Sequence, residues 1–425
     1  MPTVLCFLLL LMGNFSFLPG ATQAGTVPKV ALKNLALTER LSFEISLVTF
    51  SPGDNLFEWF GHTVLAVENL RTGKSVAYSF GGFSFGTDDL LMFFMGKFIF
   101  WTYTEDTRQL LHRYQKKGRH IVIQKLNLSA QQTTNIRKRL QLSMQPQNRF
   151  YTYDHFRDNC ATRLRDIVNE ALGDTIRAQS ATDTGKTIRD YIQRMTAHQP
   201  ILNFLLHFVL SDGVDQPVSH WETMFLPDRL MTVFQNSINP EMGRPLVSAR
   251  EEQLPHYKSP FFSEKINIPQ TSGREWLAGL SLGSMFAILA LMYLKKITRL
   301  SASAYPLVIA FFGAVFGLLG VVLFFMAVIA DHTDVFWNEN FFLLNPLTFT
   351  LLPLGLLKIF GKAGRLFAVV SLLCGTLGVV GVVLKVLPAF DQGNGQQIRI
   401  LLPMLIIMGI TGFFELKKQS PKVSD

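Results

Sequence analysis

Tyr153-Asp154-His155-Phe156-Arg157-Asp158-Asn159-Cys160-Ala161-Thr162-Arg163 puts a single thiol at the start of a helix. Downstream, Leu164, Ile167, Val168, Ala171 and Leu172 recur at helical spacing. Asp158 or Asn159 suits the N-cap and Gly173 the stop, so Cys160 falls in the first turn. There the partial positive charge of a helix N-terminus favours thiolate over thiol. The competing reading is a cysteine that merely packs, since free Cys is among the most buried residue types.

Export strengthens the chemical reading. Residues 1–24 are a short apolar run ending in Ala-Thr-Gln-Ala, the pattern of a secretory signal or an uncleaved anchor. Of the three cysteines, Cys6 lies in that signal, Cys374 in an apolar helix, and Cys160 stands alone in the polar part. No disulfide can form within the exported domain, and an unpaired thiol is a liability in an oxidising compartment.

Residues 25–265 read as a mixed α+β domain with its strands gathered before the cysteine helix. Leu41 to Val48 alternates as a strand. His62 opens a second β-run through Val67, Asn69 to Lys74 is a turn containing Gly73, and Ser75 to Phe80 returns as the hairpin partner. His120 to Leu126 is a further strand, and Ser129-Ala130-Gln131-Gln132 is a capping-box start for a helix to about Met144. Gln193 to Pro200 and Ile201 to Leu210 read as helices.

Past a 266–275 linker the composition turns apolar. Trp276–Leu294, Pro306–Ala330, Phe341–Phe360, Leu366–Pro388 and Ile398–Phe414 each have the length that spans a bilayer, and Pro346 and Pro353 predict a break in the third. This is an all-α bundle of five spans over 276–416, with a tail from 417 to 425. Lys295, Lys296, Arg299, Lys358, Lys362, Arg365, Lys417, Lys418 and Lys422 fall on one side. Asp331, Asp334, Glu339 and Asp391 fall on the other. By the positive-inside rule the tail is cytoplasmic and the Cys160 domain lies outside. Nine basic residues thus sit in the cytoplasmic segments, so the net charge of +9 requires no nucleic acid partner, and no nucleic-acid motif is present.

A cysteine enzyme needs a base, a group to orient it and donors for an oxyanion. Phe60-Gly61-His62-Thr63 offers His62 as the base at the mouth of a strand, where Gly61 permits close approach of other backbone. A structural histidine is the alternative. His155 competes, but a residue leading into a helix usually packs or caps. The backbone N–H of Cys160 is the natural first oxyanion donor. Glu68 shares the phase of His62 but lies about 20 Å along the strand, too far to orient it. Tyr78 and Ser79 on the partner strand, and Asp158 and Asn159 beside the thiol, remain candidate orienting or oxyanion groups. Arg163 either pairs with Asp166 or receives a phosphate. No His-Glu-x-x-His or Cys-x-x-Cys occurs, so neither a metal nor a cofactor is expected.

Phe60-Gly61-His62-Thr63, followed by Asp158-Asn159-Cys160-Ala161-Thr162-Arg163, resembles the bacterial Lnb family of envelope lipoprotein N-acyltransferases. The match extends through His332-Thr333-Asp334-Val335-Phe336-Trp337-Asn338-Glu339-Asn340 into the membrane part. The order of His on a strand before Cys on a helix is similar to the permuted papain-like fold of lecithin–retinol acyltransferase and NlpC-type enzymes. The resemblance implies acyl transfer at the inner membrane of a bacterium. Cys160 would take an acyl chain from a lipid ester, with a phospholipid favoured, and pass it to the α-amine of a diacylglyceryl lipoprotein's N-terminal cysteine. The bilayer would hold both substrates. A papain-like envelope peptidase or amidase and a non-enzymatic membrane receptor are the competing readings. The outer loop Asp331 to Asn345 is either an interfacial aromatic belt or a segment whose His332, Asn338 and Asn340 bind headgroup or acceptor.

Overall fold

The computed structural model describes residues 42–84, 86, 92, 95–254, 273–329 and 333–419. The signal, most of the 266–275 linker, His332 and the end of the tail lie outside the described residues. The chain divides into two compact units. The first holds the described residues of Met1–Gly185 and Pro217–Glu264, and the second those of Lys186–Gln216 and Lys265–Asp425. The sequence reads residues 25–265 as one exported domain. Its segment Lys186–Gln216 clusters with the helices that follow.

In the first unit the described residues form a seven-stranded antiparallel sheet. Its strands are β1 (Phe43–Phe50), β2 (His62–Asn69), β3 (Lys74–Gly82), β4 (Ile99–Asp106), β5 (Ile121–Leu126), β6 (Phe150–Thr152) and β7 (Val247–Gln253), in the order β7-β5-β1-β2-β3-β4-β6. The β2–β3 hairpin forms as its turn chemistry predicts, with Gly73 at φ +67°. The last strand corrects the expectation that every strand precedes the cysteine helix. Val247-Ser-Ala-Arg-Glu-Glu-Gln is charged and largely exposed because it is an edge strand, where such residues block further pairing.

Alternation along β1 and β2 splits the core between the two faces of the sheet. Ile45, Leu47, Leu65 and Val67 join one cluster, and Val48, Phe50, Val64 and Ala66 the other. The helices α1 (Thr107–Lys116), α2 (Ala130–Ser143) and α3 (Cys160–Ala171) cover these faces. Leu164, Ile167 and Val168 of α3, with Ile136 and Leu140 of α2, fill the first cluster, whereas Leu110 of α1 fills the second. Ser129 caps α2 with the expected capping box.

The second unit contains α4 (Ile188–Thr196), α5 (Pro200–Val209) and the apolar helices. Among the described residues four helices are long and apolar enough to cross a membrane. They are α6 (Gly273–Leu294), α7 (Arg299–Val328), α8 (Gly364–Leu384) and α9 (Gly395–Gln419). A fifth span is counted if Glu339–Phe349 and Leu351–Ile359, bent by 43° at Thr350, are taken together. Pro346 and Pro353 flank that bend, as the sequence predicts. The second span begins earlier than expected and carries Pro306 in its interior. Small residues let these helices approach closely: a Cβ on Gly317 would stand 2.4 Å from the backbone of Phe349, and one on Gly375 2.6 Å from Gly409.

Lys186–Gln216 is held in this unit by buried polar groups. Arg189 pairs with Asp215 through Nε at 2.5 Å and Nη2 at 2.9 Å, and also donates to the carbonyls of His207, Leu210 and Ser211. Asn338 Nδ2 donates to Phe208 O (3.1 Å) and Val209 O (2.7 Å), and Asn340 Nδ2 donates to Phe208 O (2.8 Å). Gln392 Nε2 donates to Leu210 O. These are the unsatisfied carbonyls at the end of α5. Asn338 and Asn340, proposed from the sequence to reach a headgroup, are 2 % and 0 % exposed and spend their amides as helix caps. Asn338→Ala or Asn340→Ala should thus cost about 1–3 kcal/mol by stranding buried carbonyls, read as a lower thermal midpoint of the purified protein. A headgroup-binding role would instead raise KM at an unchanged midpoint.

Candidate active site

The thiol is set by its cap. Asn159 is the N-cap of α3: its Oδ1 accepts from the N–H of Ala161 (2.8 Å) and Thr162 (3.0 Å), and Thr162 Oγ1 accepts the N–H of Asn159 (2.8 Å). Asn159 Nδ2 donates to His155 O (2.7 Å) and Phe225 O (2.9 Å), tying the lead-in loop and a distant segment to the helix start. Both amide hydrogens are thereby used. The side chain builds the site and has no donor left for an oxyanion.

The base candidate arrives from β2. Gly61, at φ +80°, turns the chain into the strand, and a Cβ there would lie 2.9 Å from Phe50 O. His62 pairs across to Phe50 of β1. The β2–β3 ladder ends at Leu65–Tyr78, and beyond that point the backbone of Thr63 comes near enough to Cys160 to pull its thiol pKa down. The backbone of Cys160 and Ala161 lowers the thiol pKa in the same sense. Backbone N–H groups thus oppose the effect of burial on a thiol that packs against the first core cluster, and one of them belongs to Thr63, the residue after His62.

His62 Nε2 bonds to Ser79 Oγ at 3.0 Å, and among the described residues Nδ1 makes no hydrogen bond. Phe50 and Tyr114 stand parallel to the ring, with centroids at 6.2 and 6.3 Å. A Cβ on Gly81 would be 2.6 Å from His62 Cε1, so glycine is required on that edge. The sequence weighed Tyr78 as the orienting group. Strand alternation places Tyr78 on the other face, opposite Leu65 and against the first core cluster. Its neighbour Ser79 meets the histidine.

The remaining residues are engaged elsewhere. Asp158 and Arg163 form a two-bond ion pair at 2.5 and 2.7 Å, with the guanidinium 3.7 Å from the Tyr151 ring centroid. Asp166, the partner weighed from the sequence, pairs with Arg165 instead. His155 Nδ1 bonds to Tyr153 Oη at 2.8 Å, and the ring packs edge-on against Phe60, Phe156 and Phe225. Among the described residues no group of three or more His, Cys, Asp or Glu could hold a metal ion.

Electrostatics overturn one expectation. Burial pushes the Cys160 thiol up to about 11, against the pull of the three backbone donors, so it rests as a thiol rather than the thiolate predicted from the helix start. Burial, with the nearby positive charges of Arg119 and Arg113, lowers His62 to about 3. At neutral pH both members are uncharged. Arg119 is itself buried, donates through Nε to Ser51 O and lies 3.5 Å from Glu58.

The architecture defines a membrane protein: an α+β unit with Cys160 at a helix start and His62 at a strand start, followed by helices long and apolar enough to cross a membrane. A family model of the Lnb N-terminal periplasmic domain matches residues 38–194, and one of the Lnb transmembrane domain matches residues 278–419. The chain belongs to the Lnb family, and its N-terminal domain is periplasmic. Comparisons with curated proteins and with solved structures find no match.

The depressed His62 has a consequence for stability. Above pH 6.5 the imidazole is neutral in both folded and unfolded chains. Between about 6.5 and 3 the unfolded chain takes up a proton that the folded one refuses. Stability is therefore lost as pH falls through that window. His62→Gln should lose less thermal stability than the parent between pH 7 and pH 4.5, which paired melting curves will test.

Proposed function

We propose that the protein is a membrane-bound lipoprotein N-acyltransferase working through a thioester on Cys160. Membership of the Lnb family implies lipoprotein N-acylation. The observation that supports the mechanism is Cys160 in the first turn of a capped helix, where backbone N–H groups including that of Thr63, the residue after His62, favour the anionic sulfur. In the first half-reaction Sγ attacks the ester carbonyl of a phospholipid as His62 takes the thiol proton. The negative oxygen of the tetrahedral intermediate is held by backbone N–H donors at the helix start. Collapse breaks the ester C–O bond, and the leaving alkoxide takes the proton from His62. The second half reverses the roles. The α-amine of the diacylglyceryl cysteine attacks the thioester, its proton passes to His62, an amide forms, and the thiolate recovers the proton.

Because both residues rest uncharged, proton transfer accompanies attack instead of preceding it. The reading is a permuted papain-like nucleophile and base used for transfer rather than hydrolysis. Its support lies in the attached spans, since a hydrolase of soluble peptides needs one anchor at most. Confinement of donor, acceptor and enzyme to one leaflet replaces three-dimensional encounter. With five spans and basic loops on one side, the C-terminus is cytoplasmic.

Cys160→Ala should abolish N-acylation while the protein folds, and Cys160→Ser should fall by at least about 100-fold because a hydroxyl is the weaker nucleophile. Mass spectrometry of a lipoprotein N-terminus from cells with each variant reads this directly. Full N-acylation with Cys160→Ala would end the proposal, and a trimmed peptide in place of an added acyl group would select the peptidase.

A further inference from the structure

We propose that the outward face of α1, with the exposed turn Leu56–Glu58 at its border, is the surface by which the periplasmic unit rests on anionic phospholipid. The inference goes beyond the thioester reading and does not depend on it.

The stretch from Thr107 to His120 holds Arg108, Arg113, Lys116, Lys117 and Arg119 and no acidic residue. Helical spacing sorts these charges. Thr107 and Leu110 are buried, and Leu110 and Tyr114 pack on the second core cluster. At about 100° per residue the side opposite them belongs to Arg108, His112 and Lys116, spaced four apart and all exposed. Among the described residues none of these three forms an ion pair, whereas Arg113 and Lys117 on the flank are held by Glu105 and Glu58 at 2.7 Å each. A helix that turns an apolar side to the core and an unpaired basic stripe outward matches an array of headgroup phosphates.

Water alone would satisfy a basic stripe, but it does not suit the turn beside it. Leu56 and Phe57 are 40 % and 51 % exposed, although the Phe57 ring also meets Phe83 at 5.6 Å. Glu58 of the same turn accepts from Lys117 Nζ at 2.7 Å and lies 3.5 Å from Arg119 Nη1, which fastens the apolar tip to the end of α1. Interfacial segments use this pairing: cations meet phosphates while the neighbouring apolar groups enter the acyl boundary. Helices of the same chain long and apolar enough to cross a membrane keep a bilayer within reach.

The other basic run, Arg137-Lys138-Arg139 of α2, offers no such surface. Arg137 sits over the Phe43 ring at 3.3 Å, and Arg139 pairs with Glu170. Its helix fills the first core cluster and so covers the face of the sheet opposite α1. Both parts of the proposed surface lead to His62. The turn does so through Gly61, and α1 does so through Tyr114, whose ring stands parallel to the imidazole at 6.3 Å. Docking there sets the histidine at the level of the headgroups, close to the ester bonds of the lipid.

The test uses the full chain in nanodiscs, with the photo-crosslinking residue benzoylphenylalanine placed at Phe57, at Lys116 or, on the opposite face of the sheet, at Lys138. With alkyne-tagged phosphatidylglycerol in the disc, Phe57 and Lys116 should capture at least about fivefold more lipid than Lys138, the factor that one basic residue contributes at an anionic surface. The difference should collapse in discs of tagged phosphatidylcholine and at about 0.5 M salt, where exposed charges are screened. Arg108→Glu with Lys116→Glu should lower capture at Phe57 about tenfold, and Arg108→Lys with Lys116→Arg should leave it unchanged. Equal capture at Lys116 and Lys138 overturns the proposal, whether or not the charge-reversed chain folds. Capture at Phe57 that ignores both lipid charge and charge reversal does the same. No step needs the thiol, so the same pattern in Cys160→Ala upholds docking even if the thioester reading fails.

Discussion

Everything chemical here depends on how Asn159 spends its side-chain hydrogen bonds. Two N–H groups of the first turn of α3 fold back onto its oxygen, and its two amide hydrogens reach His155 O and Phe225 O. The cap joins three pieces of chain at one point: the loop before the helix, the helix itself and a segment 66 residues further on. The sulfur of the next residue therefore emerges in a fixed direction, near the backbone of Thr63. An aspartate could accept from the helix but could not donate, and both carbonyls would lose their partner.

The site also shows two effects in competition. A helix N-terminus favours an anion by up to about 2 kcal/mol in a partly buried setting, and three N–H donors add to it. Desolvation still prevails, leaving thiol and imidazole neutral together. The positive neighbours of His62, Arg119 and Arg113, act in the same direction. A resting ion pair is the usual way to arm a cysteine. Here a donor-rich pocket waits for charge that develops only during reaction, the arrangement suited to stabilising a transition state over a ground state.

Sequence carried much of this and lost the rest for definable reasons. The helix after Asn159, the His62 hairpin, the capping box at Ser129 and the bend between Pro346 and Pro353 are local, and periodicity or turn chemistry reveals them. The edge strand Val247–Gln253 escapes because its residues face solvent and alternate nothing. Tyr78 was weighed beside Ser79 although the hairpin register separates them: Asn69 opposite Lys74 implies His62 opposite Gly81, which puts Ser79 and not Tyr78 on the histidine's face. The ionisation state could not be read at all, because burial is set by residues brought from Phe50, Tyr114 and Arg119.

The packing of Lys186–Gln216 with the apolar helices sets an order of events during synthesis. The carbonyls of Phe208 and Val209 leave the ribosome long before the side-chain amides that satisfy them. Asn338 follows by 130 residues and Gln392 by 182. Until Asn338 and Asn340 are made, Phe208 O and Val209 O lack these side-chain donors, whereas Leu210 O already accepts from Arg189. The second unit is thus completed by groups far downstream of a segment translated in the middle of the first, and such long-range contacts form more slowly than local ones.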